Sequence, residues 1–461
     1  MNIAITLAYL LAAVLFILGL KQLSSPKGAR NGNFTAAAGM VIAIGATIPL
    51  LHFTVAGIVI IGVGVVIGAI VGTFGARMVK MTAIPQMVAL FNGVGGGAAA
   101  LVAVSELLHF GRNPAFAEAF PSVFTIIIGS ISFAGSMVAF AKLQELMTGT
   151  PITYPGQQLV NAVLAAAILG FAIAVLAVAS VPFSFIALMV LALVLGVAFV
   201  LPIGGADMPV VISLLNAFTG LAVAASGFTL NNFALIVAGT LVGASGSLLT
   251  KLMSDAMGRS LTNTLFGAFG QVKAGVAAAT GGQARQVRAG TPEDLATLLA
   301  YSRRVIIVPG YGLAVAQAQH AVRELAELLE KRGVEVTYAI HPVAGRMPGH
   351  MNVLLAEANV PYEQLKEMDE INDEFKDADV ALVVGANDVV NPAARSSPGS
   401  PIYGMPILNA DRAKNIVFMK RSMRPGFAGI DNELLYDPKT IMFFGDAKDS
   451  LTKLVSAVKA A

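Results

Sequence analysis

Two short motifs in the C-terminal part of the chain have the residue types and spacing of a site for a phosphorylated ligand. In the first, an apolar run from residue 305 leads into Gly310-Tyr311-Gly312. A strand that runs into a Gly-x-Gly turn and a helix is the usual cradle for a dinucleotide pyrophosphate. In the second, Lys420-Arg421-Ser422 follows the apolar run 416–419. Two cations and a hydroxyl after a strand suit a phosphate monoester, and a solvated basic turn is the alternative.

The residue type expected for ordinary NAD binding is missing from the second predicted strand. An NAD site places Asp or Glu at the end of that strand, where it accepts from the ribose 2′-hydroxyl. This chain has His341-Pro342 there instead. Together with Lys420-Arg421-Ser422, the missing acid favours NADP over NAD. The chain also has no cysteine, which excludes disulfides, thiolate chemistry and Cys-ligated metals.

Two further loops follow predicted strands and are placed to touch the same ligand. Residues 343–349 follow the second strand and residues 385–389 follow the third, and ligands of parallel sheets bind at the carboxyl ends of strands. Arg346 could face the pyrophosphate. Asp388 either lies near the nicotinamide or caps the next helix. Residues 422–429, which are glycine-bearing and aromatic, could form a lid that excludes water.

The elements that must position these motifs alternate between strand and helix from Thr291 onward. Strands are predicted near residues 305–308, 334–340, 380–384, 416–419 and 441–444. Helices are predicted between them, notably at 314–331, and near 450–460 at the end of the chain. This alternation predicts a Rossmann-like α/β domain with a parallel sheet over residues 291–461. Residues 259–290 are rich in Gly, Ala, Thr and Gln and are predicted to be a linker.

The remaining residues, 1–258, have the composition of a membrane domain. The chain of 461 residues is 56% hydrophobic and 12% charged, whereas soluble domains carry about 25% charged residues. About 20 apolar residues are needed to cross the bilayer core. Nine such runs are predicted, at residues 3–20, 34–51, 55–74, 84–107, 123–140, 159–179, 183–201, 210–228 and 233–253.

The distribution of cations between the spans predicts the orientation of the chain. Loops after odd-numbered spans contain six cations, whereas loops after even-numbered spans contain only Arg112. The six cations are Lys21, Lys27, Arg30, Arg77, Lys80 and Lys142. By the positive-inside rule, the N-terminus faces outward and the C-terminal domain is cytoplasmic. Cations at membrane ends also explain the net charge of +3, so we predict no nucleic-acid partner.

Polar residues within the spans leave two interpretations open. Glycine-rich stretches favour tight helix packing. The alternative is a narrow polar path, because polar side chains lie among those glycines: Asn92, Asn216, Thr219, Ser245 and Ser247. Asp207 is either a solvated loop carboxylate or a proton relay. His52 and His109 lie near the predicted outer face, as plain interfacial residues or external proton sites.

Four motifs in the same order resemble the β subunit of the bacterial proton-translocating NAD(P) transhydrogenases, and the resemblance covers essentially the whole chain. The motifs are Gly310-Tyr311-Gly312 with Ala316, Gly345-Arg346-Met347-Pro348-Gly349-His350, Gly385-Ala386-Asn387-Asp388 and Lys420-Arg421-Ser422-Met423. The family implies hydride transfer between NAD(H) on a partner subunit and NADP(H) on this chain, coupled to proton translocation across the inner membrane. Hydride passes directly between nicotinamides, so no catalytic residue and no metal are expected.

The resemblance implies a set of NADP(H) contacts at the ends of the predicted strands. These are Gly310, Tyr311, Gly312, Ala316, Val343, Ala344, Gly345, Arg346, Met347, Pro348, Gly385, Ala386, Asn387, Asp388, Val389, Gly404, Met405, Lys420, Arg421, Ser422, Met423, Arg424, Pro425, Gly426, Phe427, Asp446 and Ala447. The 2′-phosphate would contact Lys420, Arg421 and Ser422. Phe427 stands where relatives often have tyrosine.

The resemblance also implies a proton path in the membrane domain. Asp207 and Asn216 match family positions tied to proton movement, and Asn92 stands where some members have histidine. Because an amide is not a proton carrier, the titrating group could be His52, Asp207 or a residue of the partner.

The resemblance also implies a partner subunit, and two alternative functions remain open. The family implies a separate NAD-binding α subunit and a dimer of the α–β unit in the lipid bilayer. One alternative is a transporter or channel with a regulatory, NADP-sensing cytoplasmic domain. The other is an NADP reductase anchored to the membrane, which leaves the polar residues of nine spans unexplained.

Overall fold

The structure is a computed structural model, and the described residues cover both predicted domains. They are residues 3–25, 28–50, 54–80, 83–109, 115–148, 152–177, 182–204, 207–256, 261, 287–345, 349–397, 400, 402–426 and 428–460. The chain divides near Thr250 into two compact units, one composed of long apolar helices and the other of alternating strands and helices.

Among the described residues, nine long helices form the first unit, and each overlaps a predicted span. They are α1 (Ile3–Leu23), α2 (Ala29–Thr47), α3 (Val55–Met78), α4 (Ile84–His109), α5 (Phe116–Leu143), α6 (Gln157–Ala177), α7 (Pro182–Val200), α8 (Met208–Thr229) and α9 (Phe233–Ala256). Eight of them contain an apolar stretch long enough to cross a bilayer, and α7 contributes the shorter apolar segment Ser184–Val200. The predicted multi-span class is confirmed.

Small residues bring the central helices of this unit into backbone contact. A Cβ placed on Gly96 of α4 would lie 2.9 Å from the carbonyl oxygen of Gly129 on α5. A Cβ placed on Gly129 would lie 2.6 Å from the carbonyl oxygen of Gly96. These distances leave no room for any side chain, so glycine is required at both positions. The interpretation of the glycines as packing residues is therefore correct here.

In the part of the second unit that the structure describes, seven strands form one parallel sheet. The strands are β1 (Arg288–Ala289), β2 (Arg304–Pro309), β3 (Glu335–Ile340), β4 (Leu365–Glu367), β5 (Val380–Val384), β6 (Asn415–Lys420) and β7 (Thr440–Phe444). Their order in the sheet is β1-β7-β6-β5-β2-β3-β4, and every pair is parallel. The predicted parallel α/β class is confirmed. Five of the seven strands were predicted; β1 lies in the stretch predicted as a linker, and β4 has only three residues.

Helices cover both faces of the sheet. They are α10 (Pro292–Ala300), α11 (Tyr311–Val315), α12 (Gln319–Lys331), α13 (His350–Glu357), α14 (Met368–Ile371), α15 (Ala393–Ser396) and α16 (Ala447–Ala460). Within β2, Val305 and Ile307 pack in one apolar core, whereas Ile306 and Val308 pack in the other. Successive side chains of a strand point to opposite faces, so a strand covered on both faces is continuously apolar.

The helix after the Gly-x-Gly turn differs from the prediction of one helix at 314–331. It starts at Tyr311, ends at Val315, and resumes as α12 at Gln319. The break is a helix stop in which Gln317 adopts a left-handed conformation with φ of 51°. Its N–H donates to the Ala314 carbonyl, and the Ala318 N–H donates to the Leu313 carbonyl. This pair of bonds is the Schellman arrangement, which is usually formed by glycine, and glutamine gives no such signal in the sequence.

The order of strands reverses between β2 and β5. From β2 the chain continues to β3 and β4 on one side, and from β5 it continues to β6 and β7 on the other. Ligands of open parallel sheets bind outside the carboxyl ends of the strands at such a switch point. Gly310-Tyr311-Gly312 follows β2 and Gly385-Ala386 follows β5, so two of the predicted motifs meet there.

Candidate functional site

The loops after β2 and β5 interlock through glycine at the switch point. A Cβ on Gly310 would lie 2.4 Å from the Cα of Ala386, and a Cβ on Gly312 would lie 2.7 Å from the Cα of Gly385. Gly385 itself has φ of +67°, a conformation that favours glycine, and its own Cβ would lie 2.3 Å from the Leu313 nitrogen. All three glycines are therefore needed to bring the two loops together.

The two glycine amides of the Gly-x-Gly turn bind protein carbonyls, whereas the motif predicts that they bind a pyrophosphate. The Gly310 N–H donates to the Val384 carbonyl at 2.9 Å, and the Gly312 N–H donates to the Gly385 carbonyl at 2.8 Å. Because both amides bind the β5 strand and loop, they join the two halves of the sheet edge. In this conformation, the glycines shape the crevice rather than offer these two N–H groups to a ligand.

A chain of polar side chains connects the end of β6 to the loop after β5. The Lys420 ammonium donates to Asn387 Oδ1 at 3.1 Å, and Asn387 Nδ2 donates to Asp388 Oδ1 at 2.9 Å. Burial lowers the pKa of the Lys420 ammonium below its ordinary value, while the carboxylates of Asp388 and Asp431 act to raise it. A half-buried cation at the carboxyl edge of the sheet is suited to bind an anionic group, because the low-polarity surroundings strengthen charge-assisted bonds.

The predicted lid segment, residues 422–429, is held down by the same loop. The Ala428 N–H donates to Asp388 Oδ2 at 2.9 Å. Gly426 lies so close that a Cβ there would meet Asn387 Nδ2 at 2.4 Å and Asp388 Oδ1 at 2.5 Å. Of the two roles considered for Asp388, the structure shows neither directly: its carboxylate anchors the lid segment, and the residue begins a single helical turn, Asp388–Val390.

An apolar cluster supports the lid segment from the other side. Buried Ala393, Ala394, Ile402 and Ile407 form this cluster, and Met405, Ala428 and Ile430 pack against it. Gly404 precedes Met405 in a left-handed conformation with φ of +82°. The predicted contact residues Gly404 and Met405 therefore lie in the segment against which the lid segment packs.

Arg421 and Ser422 lie at the edge of the site nearest β7. Arg421 is largely exposed, and its Nε lies 3.5 Å from Asp446 Oδ2. The Gly445 N–H donates to the Lys420 carbonyl at 3.1 Å, so the loop after β7 contacts the end of β6. Ser422 Oγ accepts weakly from the Arg424 N–H at 3.4 Å. An exposed guanidinium and a hydroxyl beside Lys420 complete a donor set that fits a phosphate monoester.

The loop after β3 contains a buried, neutral histidine where an NAD site has an acid. His341 Nε2 donates to the Pro406 carbonyl at 2.8 Å, and its Nδ1 accepts from the Val343 N–H at 3.2 Å. This pattern assigns the proton to Nε2. The side chain is 1% exposed, and burial lowers its pKa to about 4. His341 thus ties residues 343–345 to the segment that contains Gly404 and Met405.

The other predicted contacts follow the same edge of the sheet. The ring centroids of Tyr311 and the buried His350 lie 6.2 Å apart. Ala344, Val389 and Ala447 are buried, and Val343, Ala316 and Met423 pack against the cores. Arg424 and Pro425 are exposed. Arg346, Met347, Pro348 and Phe427 lie outside the described residues.

A second group of polar side chains lies inside the helical unit. Asn92 of α4 is 8% exposed, and its Nδ2 donates to Ser132 Oγ at 3.2 Å and Ser136 Oγ at 2.9 Å on α5. Ser132 Oγ lies 2.6 Å from Thr219 Oγ1 on α8 and donates to the Leu215 carbonyl at 2.8 Å. We call these side chains the Asn92 cluster: Asn92, Ser132, Ser136 and Thr219. Asn92 Oδ1 is buried and makes no hydrogen bond to the described residues.

Other polar residues predicted for a membrane path lie elsewhere. The hydroxyls of Ser245 and Ser247 donate to carbonyls of their own helix α9, those of Val242 and Gly243. Asn216 is partly buried on α8. Asp207, also partly buried, directly precedes α8, and His109 is exposed at the end of α4. His52 lies outside the described residues.

Three polar residues of these sites were missed from the sequence. Ser132 and Ser136 are spaced i, i+4 and so share one face of α5, a signal that the sequence does contain. Asn432 donates to the Asn387 carbonyl at 3.1 Å. Nothing local to Asn432 indicates this contact, because it depends on the return of the chain after the lid segment.

Comparison with known proteins gives a consistent result over the whole chain. A model of the family described as NAD(P) transhydrogenase beta subunit matches residues 5–457. Two relatives named NAD(P) transhydrogenase subunit beta, one from Rhodospirillum rubrum and one from a specified strain of that species, are each 51% identical over 459 residues. The match covers 98% of this chain and 98% of each relative.

Proposed function

The chain belongs to the NAD(P) transhydrogenase beta subunit family, and from that premise we propose that its C-terminal unit binds NADP(H) at the switch point between β2 and β5. The function of the chain is that of the family, proton-coupled hydride transfer between NADH and NADP. As a beta subunit it works with an alpha subunit, and its apolar helices make it a multi-pass membrane protein.

Two features support selectivity for NADP: cationic side chains at the carboxyl end of β6 and a neutral residue in the loop after β3. Lys420, Arg421 and Ser422 would hold the 2′-phosphate, because each offers a donor at the carboxyl end of β6. His341, with its pKa at about 4, is neutral at physiological pH and carries no carboxylate for a ribose 2′-hydroxyl. The observation that carries this proposal is the half-buried Lys420 ammonium facing the loop after β5.

The other predicted contacts would position the dinucleotide between the loops. Gly310, Gly312 and Gly385 present no side chains where the two loops meet, which would permit a ligand to approach the backbone. Residues 343–348, Gly404-Met405 and the lid segment would cover the ligand, and Asp388 would keep the lid segment in place. Asp446 and Ala447 would border the phosphate end.

The protein residues supply binding, orientation and exclusion of water rather than a nucleophile. NADP(H), when bound, supplies the nicotinamide carbon that gives or accepts the hydride, so no protein group need form a bond to it. The lid segment held by Asp388 would exclude water from the crevice. Transfer requires the two nicotinamides to approach closely, so the alpha subunit would dock on the carboxyl edge of the sheet, and we propose a dimer of the α–β unit.

The proton path would pass the Asn92 cluster. An amide and three hydroxyls can relay hydrogen bonds but do not ionise at physiological pH. The titrating group would therefore be Asp207, His52 or a residue of the alpha subunit, in contact with the cluster through water. We propose that the N-terminus faces outward and the C-terminal unit faces the cytoplasm, with residues 1–258 as the membrane domain, 259–290 as the linker and 291–461 as the NADP domain.

The experiment that tests the proposed function uses proteoliposomes containing this chain and its alpha subunit. NADH is added with NADP⁺, and NADPH formation and internal pH are recorded together. We expect the two signals to appear together and a protonophore to abolish the pH change. A regulatory, NADP-sensing domain would bind NADP without turnover, and hydride transfer without any pH change would refute the coupling.

A further inference from the structure

One cation of the helical unit is buried at the end of a helix. Lys142, in the last turn of α5, is 3% exposed. The other described lysines and arginines at helix ends in this unit, Lys21, Arg30, Arg77 and Lys80, are all exposed. A lysine inside a membrane unit is costly unless its charge is compensated, so its burial needs a specific reason.

The Lys142 ammonium binds the backbone just after the end of α7. It donates to the Ile203 carbonyl at 2.6 Å and to the Leu201 carbonyl. α7 ends at Val200, and the Leu201 N–H still donates to the Val197 carbonyl at 3.0 Å. The unpaired carbonyls at a helix C-terminus carry partial negative charge and attract a cation. The two carbonyl oxygens, which lie just beyond the negative end of α7, therefore compensate the buried charge.

The contact fixes a turn that has few other polar anchors. Residues 201–204 form the turn. Ile203 of the turn and Val200, the last residue of α7, are almost fully buried. The Leu201 carbonyl also accepts from the Ile152 N–H at 3.1 Å, and the Ile203 N–H donates to the Val200 carbonyl at 3.1 Å. Apolar surroundings make the ammonium–carbonyl bonds strong, since water does not compete for them.

In the sequence, the turn is followed by the helix that contains part of the Asn92 cluster. After Gly204 the chain passes Asp207 and enters α8, which carries Leu215 and Thr219. α5 binds α8 through Ser132, and it also binds α8 through Thr125, whose hydroxyl donates to the Ala222 carbonyl at 3.2 Å. α5 thus holds α8 along its length and, through Lys142, holds the turn that precedes it.

We propose that Lys142 is a positioning residue for proton coupling: by binding the carbonyls of Leu201 and Ile203, it fixes the turn before Asp207 and so sets the position of α8 against α5. This inference rests on the proposed function, since it assigns to Lys142 a role in transmitting the state of the membrane helices. Any shift of α8 that accompanies proton movement would have to stretch or break the bonds of Lys142 to these carbonyls.

The test compares three variants of Lys142 in the reconstituted complex with the alpha subunit. Lys142→Met removes the charge and the donors, Lys142→Gln keeps a single amide donor group, and Lys142→Arg keeps the charge. Lys21→Met, an exposed lysine in the last turn of α1, is the matched control. The readouts are NADPH affinity, the rate of hydride transfer, and the number of protons moved per hydride.

We expect Lys142→Met to lower the protons moved per hydride by about ten-fold while NADPH affinity changes less than about two-fold. Lys142→Arg should recover most of the coupling, and the control should behave like the wild type. If Lys142→Met does not fold, the Gln and Arg variants decide: coupling lost with Gln and kept with Arg supports the proposal. Equal, wild-type coupling in all variants overturns it, as does a loss of NADPH affinity in parallel with coupling. A wild-type complex that moves no protons would instead refute the proposed function itself.

Discussion

At the scale of single residues, the candidate site depends on one half-buried cation. Lys420 is joined to Asn387, and through it to Asp388, and burial lowers the pKa of its ammonium. A phosphate dianion bound here would stabilise the charged form of Lys420 and so offset the effect of burial on its pKa. In the proposed site, a 2′-phosphate would therefore gain most at Lys420, whereas the exposed Arg421 would contribute weaker, solvent-screened contacts.

Replacement of Lys420 should reduce NADPH affinity and leave NADH affinity unchanged. A hydrogen bond to a charged group contributes about 1.5–3 kcal/mol, so Lys420→Met should weaken NADPH binding by roughly ten- to hundred-fold. The measurement is a fluorescence titration of the purified chain with each nucleotide. Lys414→Met is the matched control, because Lys414 is an exposed lysine paired with Asp379 at the start of β6. Equal losses for both nucleotides would contradict the assignment of Lys420 to the 2′-phosphate.

His341 should make the stability of the protein depend on pH in a defined window. Its pKa in the fold is about 4, below the ordinary value of 6.5, so the fold favours the neutral ring. The stabilisation is complete above pH 6.5 and is lost as the pH falls from 6.5 towards 4, because the unfolded chain binds the proton first. At about pH 5 the loss should be on the order of 2 kcal/mol.

The variant His341→Gln isolates this effect. Glutamine can keep a donor to the Pro406 carbonyl but has no group that titrates. Between about pH 7.5 and about pH 5, the apparent melting temperature should fall more for the wild type than for the variant. Parallel curves would show that His341 is not the group responsible.

At the scale of elements, one side chain of the neighbouring loop, that of Asp388, binds the described part of the lid segment. The Asp388 carboxylate accepts from the Ala428 N–H, and Met405 and Ala428 pack on the same apolar cluster. A hydrogen bond combined with apolar packing allows the segment to be held in place and still released as a unit. This arrangement suits a segment that must open to admit and discharge a nucleotide.

Loss of that anchor should accelerate nucleotide release. Asp388→Ala removes the acceptor of the Ala428 N–H, and we expect NADPH to dissociate about ten-fold faster. Stopped-flow fluorescence gives the dissociation rate, and hydrogen exchange at residue 428 reports whether the segment has opened. Glu370→Ala, at an exposed position on α14, should change neither quantity. Faster release with unchanged hydrogen exchange at residue 428 would contradict the prediction that Asp388 slows release by holding the lid segment.

The elements that could be predicted from the sequence are those with long or regular apolar patterns. The nine long apolar helices among the described residues and the five longer strands belong to this group. The edge strands β1 and β4 have two and three residues, too few to show a period, and they exist only because a neighbouring strand pairs with them. The stop at Gln317 escaped prediction because a left-handed conformation is typical of glycine or asparagine.

The candidate site shows the same division between local and tertiary signals. Lys420, Asn387 and Asp388 could be assigned to one edge of the sheet from their places after strands. The contact of Asp388 with Ala428 could not, because it depends on the path of the lid segment. Likewise, Asn92 gave a signal as a polar residue among glycines, but its partners Ser132 and Ser136 are determined by the packing of α4 on α5.

At the scale of the whole molecule, two kinds of chemistry are joined in one chain. The helical unit offers hydroxyls, an amide and a buried lysine in an apolar medium, and the sheet unit offers a crevice with a cation at one end. Hydride transfer between nicotinamides needs no protein acid, whereas proton movement needs no redox group. The chain therefore requires only that a change in one unit alters binding in the other, which is a coupling of free energies between two sites.

That coupling predicts how the nucleotide ratio should respond to a membrane potential. One elementary charge that crosses 100 mV gains about 2.3 kcal/mol. If one proton moves per hydride, a potential of about 100 mV should raise the equilibrium ratio of NADPH to NADP⁺, at a fixed ratio of NADH to NAD⁺, by roughly fifty-fold. Proteoliposomes with a potassium diffusion potential and the reconstituted complex provide the measurement, and a protonophore should return the ratio to its value at zero potential. A ratio that does not change with potential would show that hydride transfer and proton movement are independent, whereas the square of the predicted factor would indicate two protons per hydride.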